Sequence, residues 1–203
     1  MYRLVHYWLM GRPRKFDIDE ALDRAVLVFW QLGYERTTLS DLCEAMNINR
    51  PSLYAAFGTK EQLFHRALDR YANGPNAYEA QALALPTARE VADALLHGAV
   101  ERQTGVDTPH GCLAVLGATT HPDTESPVAR ALIAARAAGE DAVRERFARA
   151  KKDGDLPEDA EPAELAAYIR TVIYGMTVKA AGGATRAELE LVVELAMSAW
   201  PGD

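Results

Sequence analysis

Residues 38–57 read TLSDLCEAMNINRPSLYAAF, and this stretch decides the fold. Thr38 followed three residues later by Asp41 is a capping-box pattern, which predicts a short helix to about Met46. Asn47 comes next, and asparagine is the residue after glycine that best tolerates the left-handed backbone of a tight turn. The stretch therefore predicts a helix that ends in a turn at Asn47.

A second helix is predicted directly after this turn. Asn49 is a good N-cap, and Pro51 falls in the first helical turn, where a missing N–H has no consequence. The helix is expected to end near Phe57, and Cys43 lies where the two helices cross and a small side chain is needed. Two short helices joined by a three-residue turn indicate a helix-turn-helix, whose second helix enters the major groove of DNA.

The exposed half of this recognition helix carries candidate base-reading side chains. Arg50 can bond guanine through two hydrogen bonds, and Pro51 and Tyr54 can contact a thymine methyl group. Ser52 can bind a base or a phosphate, and Ala55 also points outward. We predict that these five residues form the base-reading face.

Other residues are candidates for phosphate contacts. Thr38 and Lys60 lie at helix N-termini beside the recognition helix, where they can fix register without reading sequence. Arg12, Arg14 and Lys15 form a basic segment before the first helix, and positive charge close to the phosphates is what DNA binding requires.

Helical periodicity continues over nearly the whole chain, and no stretch shows the alternation of a strand, so we predict an all-α fold. A first helix is expected from Asp17 to Gly33 and a fourth from Thr59 to about Ala72. Breaks at proline and glycine predict five later helices, at about 87–104, 109–118, 125–151, 161–181 and 185–200.

The formal net charge of −7 is distributed unevenly. Residues 1–75 carry ten Lys and Arg against nine Asp and Glu, a net +1, which leaves twelve against twenty, a net −8, for the remainder. The acidic whole therefore does not exclude DNA binding by the first part.

Other classes of protein receive no support from the sequence. Catalytic residues at coherent spacing, a metal site and a cofactor motif are all missing, so no enzyme activity and no cofactor are expected. Residues 1–10 are too short to span a membrane, and no membrane partner is expected. Cys43 and Cys112 lack CxxC spacing, which argues against a disulfide framework or zinc knuckle and fits a reducing cytoplasm.

Three runs of sequence resemble the DNA-binding domain of the TetR family of bacterial repressors, namely Gly33–Thr38, Leu39–Leu42 and Pro51–Phe64. The Leu-Tyr-x-x-Phe-x-x-Lys-x-x-Leu spacing in the last run is the most specific part. The basic residues at 11–14 are similar to the arm that many members place before the first helix. Ala55 and Ala56 depart from the larger side chains often found there.

The resemblance implies a homodimer whose last two helices form a four-helix interface, with an effector bound among the central helices. It also implies DNA contacts at the candidate positions from Thr38 to Lys60. We accordingly divide the chain into an N-terminal extension (1–10), a three-helix helix-turn-helix DNA-binding domain (11–75) and a larger helical effector-binding and dimerisation domain (76–203). The expected function is a repressor that binds a palindromic operator and is released by a small-molecule effector.

Two further sets of residues are predicted from position and pattern. Candidate effector-pocket residues are His97, Arg102, His110, Cys112, His121 and Tyr174. Candidate dimer-interface residues come from the broad apolar faces of the last two helices: Ile169, Val172, Ile173, Met176, Leu189, Val192, Val193, Ala196 and Trp200.

Alternatives to a small-molecule effector stay open at this point. Cys112 lies between His110 and His121, which makes a metal or redox sensor conceivable, although two residues two positions apart point to different sides of a helix. A buried structural cysteine is the simpler interpretation. A DNA-binding regulator without effector control, or one that activates transcription, is also compatible with the sequence.

Overall fold

The computed structural model describes residues 16–106, 108–120 and 125–202. Within these ranges the chain is helical and contains no strand, which confirms the all-α prediction. The helices are α1 (Ile18–Arg36), α2 (Leu39–Ala45), α3 (Arg50–Phe57), α4 (Lys60–Asn73), α5 (Tyr78–Leu83), α6 (Ala88–Gln103), α7 (Leu113–Thr120), α8 (Pro127–Lys152), α9 (Pro162–Ala181) and α10 (Arg186–Ser198). Among them, no helix combines the length and apolar character that crossing a membrane requires.

The first helix begins and breaks where the sequence predicts. The Asp17 carboxylate accepts hydrogen bonds from the backbone N–H groups of Asp19 and Glu20, at 2.8 and 3.0 Å. Gly33 has φ 75° and ψ 166°, so α1 is kinked there before a last turn that reaches Arg36. The glycine is needed because a side chain at that φ would be strained.

The turn between α2 and α3 closes α2 with a Schellman motif. Asn47 has φ 53°, and among the described residues it is the one non-glycine residue with positive φ. Its N–H bonds the carbonyl of Glu44 at 3.1 Å, and the N–H of Ile48 bonds the carbonyl of Cys43 at 3.0 Å. Both side chains of the second pair pack partly against the core, so the turn is fixed by its backbone and by burial together.

Helices α3 and α4 start with the side-chain caps that the sequence indicates. Asn49 accepts from the N–H of Ser52 at 2.9 Å, with proline in the first turn of the helix. Gly58 has φ 75° and ends α3, and Thr59 then forms a capping box with Gln62. The angle between the two helices is therefore set by a two-residue connection.

The buried side chains form two clusters, and their division does not follow residue 75. One cluster holds the inner faces of α1 to α4 together with α7 and the first turns of α8, through Cys112, Leu113, Val115, Val128 and Leu132. The other holds α5, α6, the rest of α8, α9 and α10. The predicted DNA-binding domain thus shares its core with part of the predicted effector domain.

A buried polar junction joins the two parts of the chain. The carbonyl of Gly111 accepts hydrogen bonds from Trp30 Nε1 at 3.2 Å and from Arg102 Nη1 at 2.7 Å. The same Arg102 nitrogen donates to Tyr71 Oη at 2.7 Å, and the Trp30 and Tyr71 rings pack edge to face with centroids 5.0 Å apart. Helices α1 and α6 therefore meet at the Gly111 carbonyl in the loop before α7, and α4 joins them through Arg102.

Two elements differ from the prediction. The six-residue helix α5 was not predicted, because its N-cap, Ala77, makes no side-chain hydrogen bond and the segment is too short for clear periodicity. The helix expected from residue 109 begins at Leu113, since Gly111 has φ 88° and interrupts the helical backbone.

Candidate DNA-binding surface

Helix α3 presents one face to solvent and anchors the other. Leu53 and Phe57 are buried, with 0% and 3% of their surfaces exposed. Pro51 and Ala55 are exposed, and Tyr54 has 50% of its surface exposed although it is aromatic. A large exposed aromatic side chain on a recognition helix suits contact with a base or sugar edge.

Arg50 is the predicted guanine reader, and it is exposed at the start of α3. Its Nη2 donates to Ser40 Oγ at 3.0 Å, which spans from α3 to the first turn of α2. Ser52, two residues further along α3, is half-buried. The guanidinium is therefore already oriented along the surface that α2 and α3 share, with its other donors available for a base.

Thr38 has its hydroxyl engaged in the α2 cap. Thr38 Oγ1 donates to Asp41 Oδ2 at 2.8 Å and accepts from the Asp41 N–H at 3.2 Å, and the Thr38 N–H donates to the same carboxylate at 2.7 Å. These bonds lower the pKa of Asp41 below its ordinary value. The Thr38 hydroxyl and N–H groups that a phosphate could bind are already hydrogen-bonded to Asp41. The predicted contact of Thr38 with DNA stays a prediction.

Lys60 lies at the first position of α4 and is half-buried. Its Nζ lies 4.2 Å from the centroid of the Tyr34 ring, a cation–π arrangement. Burial lowers the pKa of Lys60, while the carboxylates of Glu35 and Asp41 act in the opposite direction. The ammonium group of Lys60 thus packs over the Tyr34 ring, and its predicted phosphate contact stays a prediction.

Two arginines of α4 that were not among the predicted site residues connect this helix to its neighbours. Arg66 Nη1 donates to the carbonyl of Ala56 at 2.9 Å, and its guanidinium carbon lies 4.8 Å from the centroid of the Phe57 ring. Arg70 bonds both carboxylate oxygens of Asp23, at 2.7 and 2.8 Å. The first contact ties α4 to α3 and the second ties α4 to α1. Sequence spacing could not have revealed either pair, since both are tertiary contacts.

Arg12, Arg14 and Lys15 lie outside the described residues, and so does His121. The basic segment before α1 therefore keeps the status of a prediction.

A cavity of about 390 Å³ lies beside α4, enclosed with residues of α5, α7, α8 and α9. We call it the alanine-lined cavity, because six of its lining residues are alanines. Its walls are His65, Leu68, Asp69, Tyr71, Ala72, Asn76, Glu79, Cys112, Ala114, Val115, Ala131, Ala134, Ala135, Arg136, Ala138 and Arg170. A volume near the lower end of the range for ligand sites fits a small organic molecule.

The predicted pocket residues do not come together in this cavity. Cys112 is on its wall, but His97 and His110 are exposed on the surface. His97 lies 3.4 Å from a carboxylate oxygen of each of Asp93 and Glu190, on the outer side of α6. Both side chains lie away from this cavity, and their predicted role in an effector pocket stays a prediction.

The two remaining candidates have other surroundings. Arg102 belongs to the junction at Gly111 and lines a separate cleft of about 420 Å³ with Tyr78 and Val106. Tyr174 is partly buried between the two core clusters, beside the guanidinium of Arg170 at 5.4 Å. Across the described residues, no group of three or more His, Cys, Asp and Glu is placed to hold a metal ion.

Comparisons with known proteins identify the domain that carries this surface. A family profile described as "Bacterial regulatory proteins, tetR family" matches residues 21–67, which span α1 to most of α4. The HTH-type transcriptional repressor ComR of Escherichia coli (strain K12) is 35% identical over 193 residues, 94% of this chain and 92% of that protein. The chain belongs to the TetR family. As a TetR-family member it is a DNA-binding regulator of transcription and not an enzyme.

Solved TetR-family structures agree with the fold. A cysteine mutant of the TetR-family transcriptional regulator CifR, complexed with a 26-base-pair double-strand operator DNA, is 46% identical, with a TM-score of 0.89, and covers 94% of this chain and 100% of its own. A TetR regulator from Rhodococcus sp. RHA1 is 41% identical, with a TM-score of 0.62, and covers 90% of this chain and 98% of its own.

The residues predicted for the TetR-family dimer interface lie on the inner faces of α9 and α10, except Trp200, which follows the end of α10. Seven of the nine are buried in the chain's own core, with 0–6% of their surfaces exposed: Ile169, Ile173, Met176, Leu189, Val193, Ala196 and Trp200. Val172 and Val192 are partly buried against the same core. These side chains therefore pack within the folded chain itself, and their predicted role in a dimer interface stays a prediction.

The outer faces of the same helices carry different apolar residues. Tyr168 and Val178 on α9 have 39% and 57% of their surfaces exposed, and Leu191 and Leu195 on α10 have 64% and 74% exposed. We call these four residues the outer stripe. Gly175 lies between the α9 members, and a Cβ built there would meet no atom within 4 Å, so the backbone is open to close approach at that point.

Proposed function

We propose that this chain is a transcriptional repressor that binds a palindromic operator as a homodimer and is released when a small molecule enters the alanine-lined cavity. The operator-bound CifR relative and the repressor ComR support the DNA-binding half of the proposal. The release half is supported by how the cavity is built.

The observation that carries the proposal is that α4 belongs to both sites. Five residues of α4 line the alanine-lined cavity, from His65 to Ala72. The same helix follows the recognition helix after the two-residue connection at Gly58 and holds α3 through Arg66. A molecule that occupies the cavity therefore contacts the helix that positions α3.

The energetic requirement for release follows from linkage. A ligand shifts the protein off DNA only by its difference in affinity for the free and operator-bound states. A preference of about 100-fold corresponds to about 2.7 kcal/mol, which a few contacts to a displaced α4 can supply. Helix α4 is packed into the core cluster that it shares with α1, α7 and the start of α8, and such close packing favours movement of the helix as a unit over local deformation.

A homodimer is supported by the outer stripe, because exposed apolar side chains on two adjacent helices are the surface that a second copy would cover. Two recognition helices related by a twofold axis are expected about 34–36 Å apart, so the half-sites should be about one helical turn apart. Binding should weaken steeply as salt rises, since phosphate contacts release counterions.

The test is a fluorescence-anisotropy titration with DNA from upstream of the protein's own gene and with the same DNA after one half-site is scrambled. The proposal expects tight binding to the first DNA only, and release by a small molecule from a screen of metabolites. Ala135→Leu fills the cavity and should abolish that release, whereas Ala137→Leu, exposed on the same helix, should not. Operator binding that no compound class reverses would favour a regulator without effector control.

A second candidate is release by a thiol-reactive compound or oxidant. Cys112 favours it, because this residue is 7% exposed and lies on the wall of the same cavity. Cys112→Ser separates the two candidates: it should leave release by a reversible ligand intact and should remove release by an oxidant. Release by an oxidant that persists in Cys112→Ser would exclude this second candidate.

A further inference from the structure

We propose that the alanine-lined cavity takes an organic carboxylate, an acid group on a small apolar body, with Arg136 and Arg170 binding the carboxylate. This inference rests on the proposed function, because it names the chemical class of the effector. It starts from the polar groups that the cavity buries without partners.

Arg170 is the more deeply buried of the two arginines, with 5% of its surface exposed. Its Nη1 lies 3.1 Å from Glu79 Oε2, so one edge of the guanidinium is paired with a carboxylate that is itself largely buried. Its Nε is buried and has no hydrogen-bond partner. The Glu79 carboxylate therefore balances the charge of Arg170, but Nη1 also lacks a hydrogen bond, so two donor nitrogens are left unused.

Arg136 lies on α8 at the same cavity, and its Nε is also buried without a hydrogen-bond partner. No carboxylate of the described residues lies within salt-bridge distance of it. Asp69, the other acidic lining residue, is exposed on α4, where water screens its charge. The cavity thus holds a second guanidinium, that of the partly buried Arg136, which no buried carboxylate neutralises.

Unsatisfied buried donors on charged groups are unfavourable, and an arginine fork matches the two oxygens of a carboxylate. A carboxylate in the cavity would accept from the free Nε donors and would neutralise Arg136. Gly139 makes the placement of Arg170 feasible, because a Cβ at that position would lie 2.6 Å from Arg170 Nη2.

The rest of the cavity specifies an apolar body. Ala131, Ala134, Ala135 and Ala138 form a wall of small side chains along α8, and Leu68 faces them from α4. Such a wall offers no hydrogen bonds to a strongly hydrated ion such as inorganic phosphate. The arrangement therefore favours a carboxylate joined to an alkyl or aryl group.

The test measures binding to the full-length protein by calorimetry with hexanoate, decanoate, phenylacetate and phenylbutyrate, each beside its primary amide. At least one acid should bind at least about tenfold more tightly than its amide, because a charge-assisted pair is lost in the amide. Arg136→Met should remove that preference, and Arg136→Lys should restore part of it. Arg144→Met serves as the matched control, since Arg144 lies on the same helix but pairs with Asp141 at the surface.

The outcomes separate this inference from the proposed function. Acids that bind no better than their amides, or an acid preference that survives in Arg136→Met, would overturn the carboxylate assignment. If neutral compounds then still release the protein from the operator, the proposed function stands without the carboxylate assignment. If no compound that binds the cavity releases the protein from the operator, the effector role itself is overturned. If inorganic phosphate binds as tightly as the acids, the requirement for an apolar body is overturned.

Discussion

Replacement of Asn47 by alanine tests the turn that orients the recognition helix. The residue is exposed, so the change removes no buried contact, and its φ of 53° is retained only if the Schellman hydrogen bonds hold it there. A residue with a Cβ loses about 1–2 kcal/mol in this conformation, and asparagine recovers part of that loss where alanine does not. We expect Asn47→Ala to lower the free energy of unfolding by about 1 kcal/mol.

Thermal unfolding of the full chain measures this effect. About 1 kcal/mol corresponds to a fall of about 2–4 °C in Tm for a protein of this size. Asn47→Gly, which has no Cβ to strain, should unfold within about a degree of the natural protein. Glu44→Ala controls for surface changes on α2, where substitutions stay within about 0.5 kcal/mol. An alanine variant as stable as the natural protein, or a glycine variant less stable than the alanine one, would refute this account of the turn.

Arg50→Ala is expected to weaken operator binding by about 1–3 kcal/mol per half-site and to relax one base position, whereas Lys60→Ala should weaken all sequences alike. Anisotropy titrations against operator variants check both, and unchanged binding by Arg50→Ala would contradict base reading at the start of α3. Leu195→Glu should convert the proposed dimer to monomers in size-exclusion chromatography with light scattering, while the same change at the exposed Leu27 of α1 should not. A dimer that survives Leu195→Glu would remove the outer stripe from the proposed interface. The cap of α2 lowers the pKa of Asp41, so its stabilisation is complete above the ordinary carboxyl pKa and is lost as the pH falls through the lowered value. An NMR titration of this carboxylate should give a midpoint below that of a free aspartate, and a midpoint at or above it would contradict the cap.

Local features of the fold could be predicted because each depends on neighbouring residues. The caps at Asp17, Thr38 and Asn49 and the turn at Asn47 are decided within a few residues of chain, and all four lie as expected. Helix α5 escaped prediction, since it has no side-chain cap and is held by tertiary contacts such as the ion pair of Glu79 with Arg170.

Features that depend on tertiary contacts could not be read from the pattern. The amphipathic pattern of α9 and α10 shows apolar faces, but their inner residues, such as Ile173, resemble outer ones, such as Leu195, until packing distinguishes them. The cavity likewise depends on alanines of α8, which in sequence look like ordinary helix formers. Arg136 and Arg170 became candidates only when their donors were seen to lack partners.

The shared core of α1 to α4 with α7 has a consequence for modular exchange of regulators. A chimaera joined at residue 75 would transfer the DNA-binding helices α1 to α4 without side chains that complete their hydrophobic core, among them Leu113, Val115 and Leu132. The Trp30 indole would also lose the Gly111 carbonyl that it bonds. In a hybrid regulator built from this protein, the new DNA-binding helices therefore have to be complementary to the inner face of α7. A junction chosen from the sequence alone would bring together two surfaces that have not evolved to pack against each other.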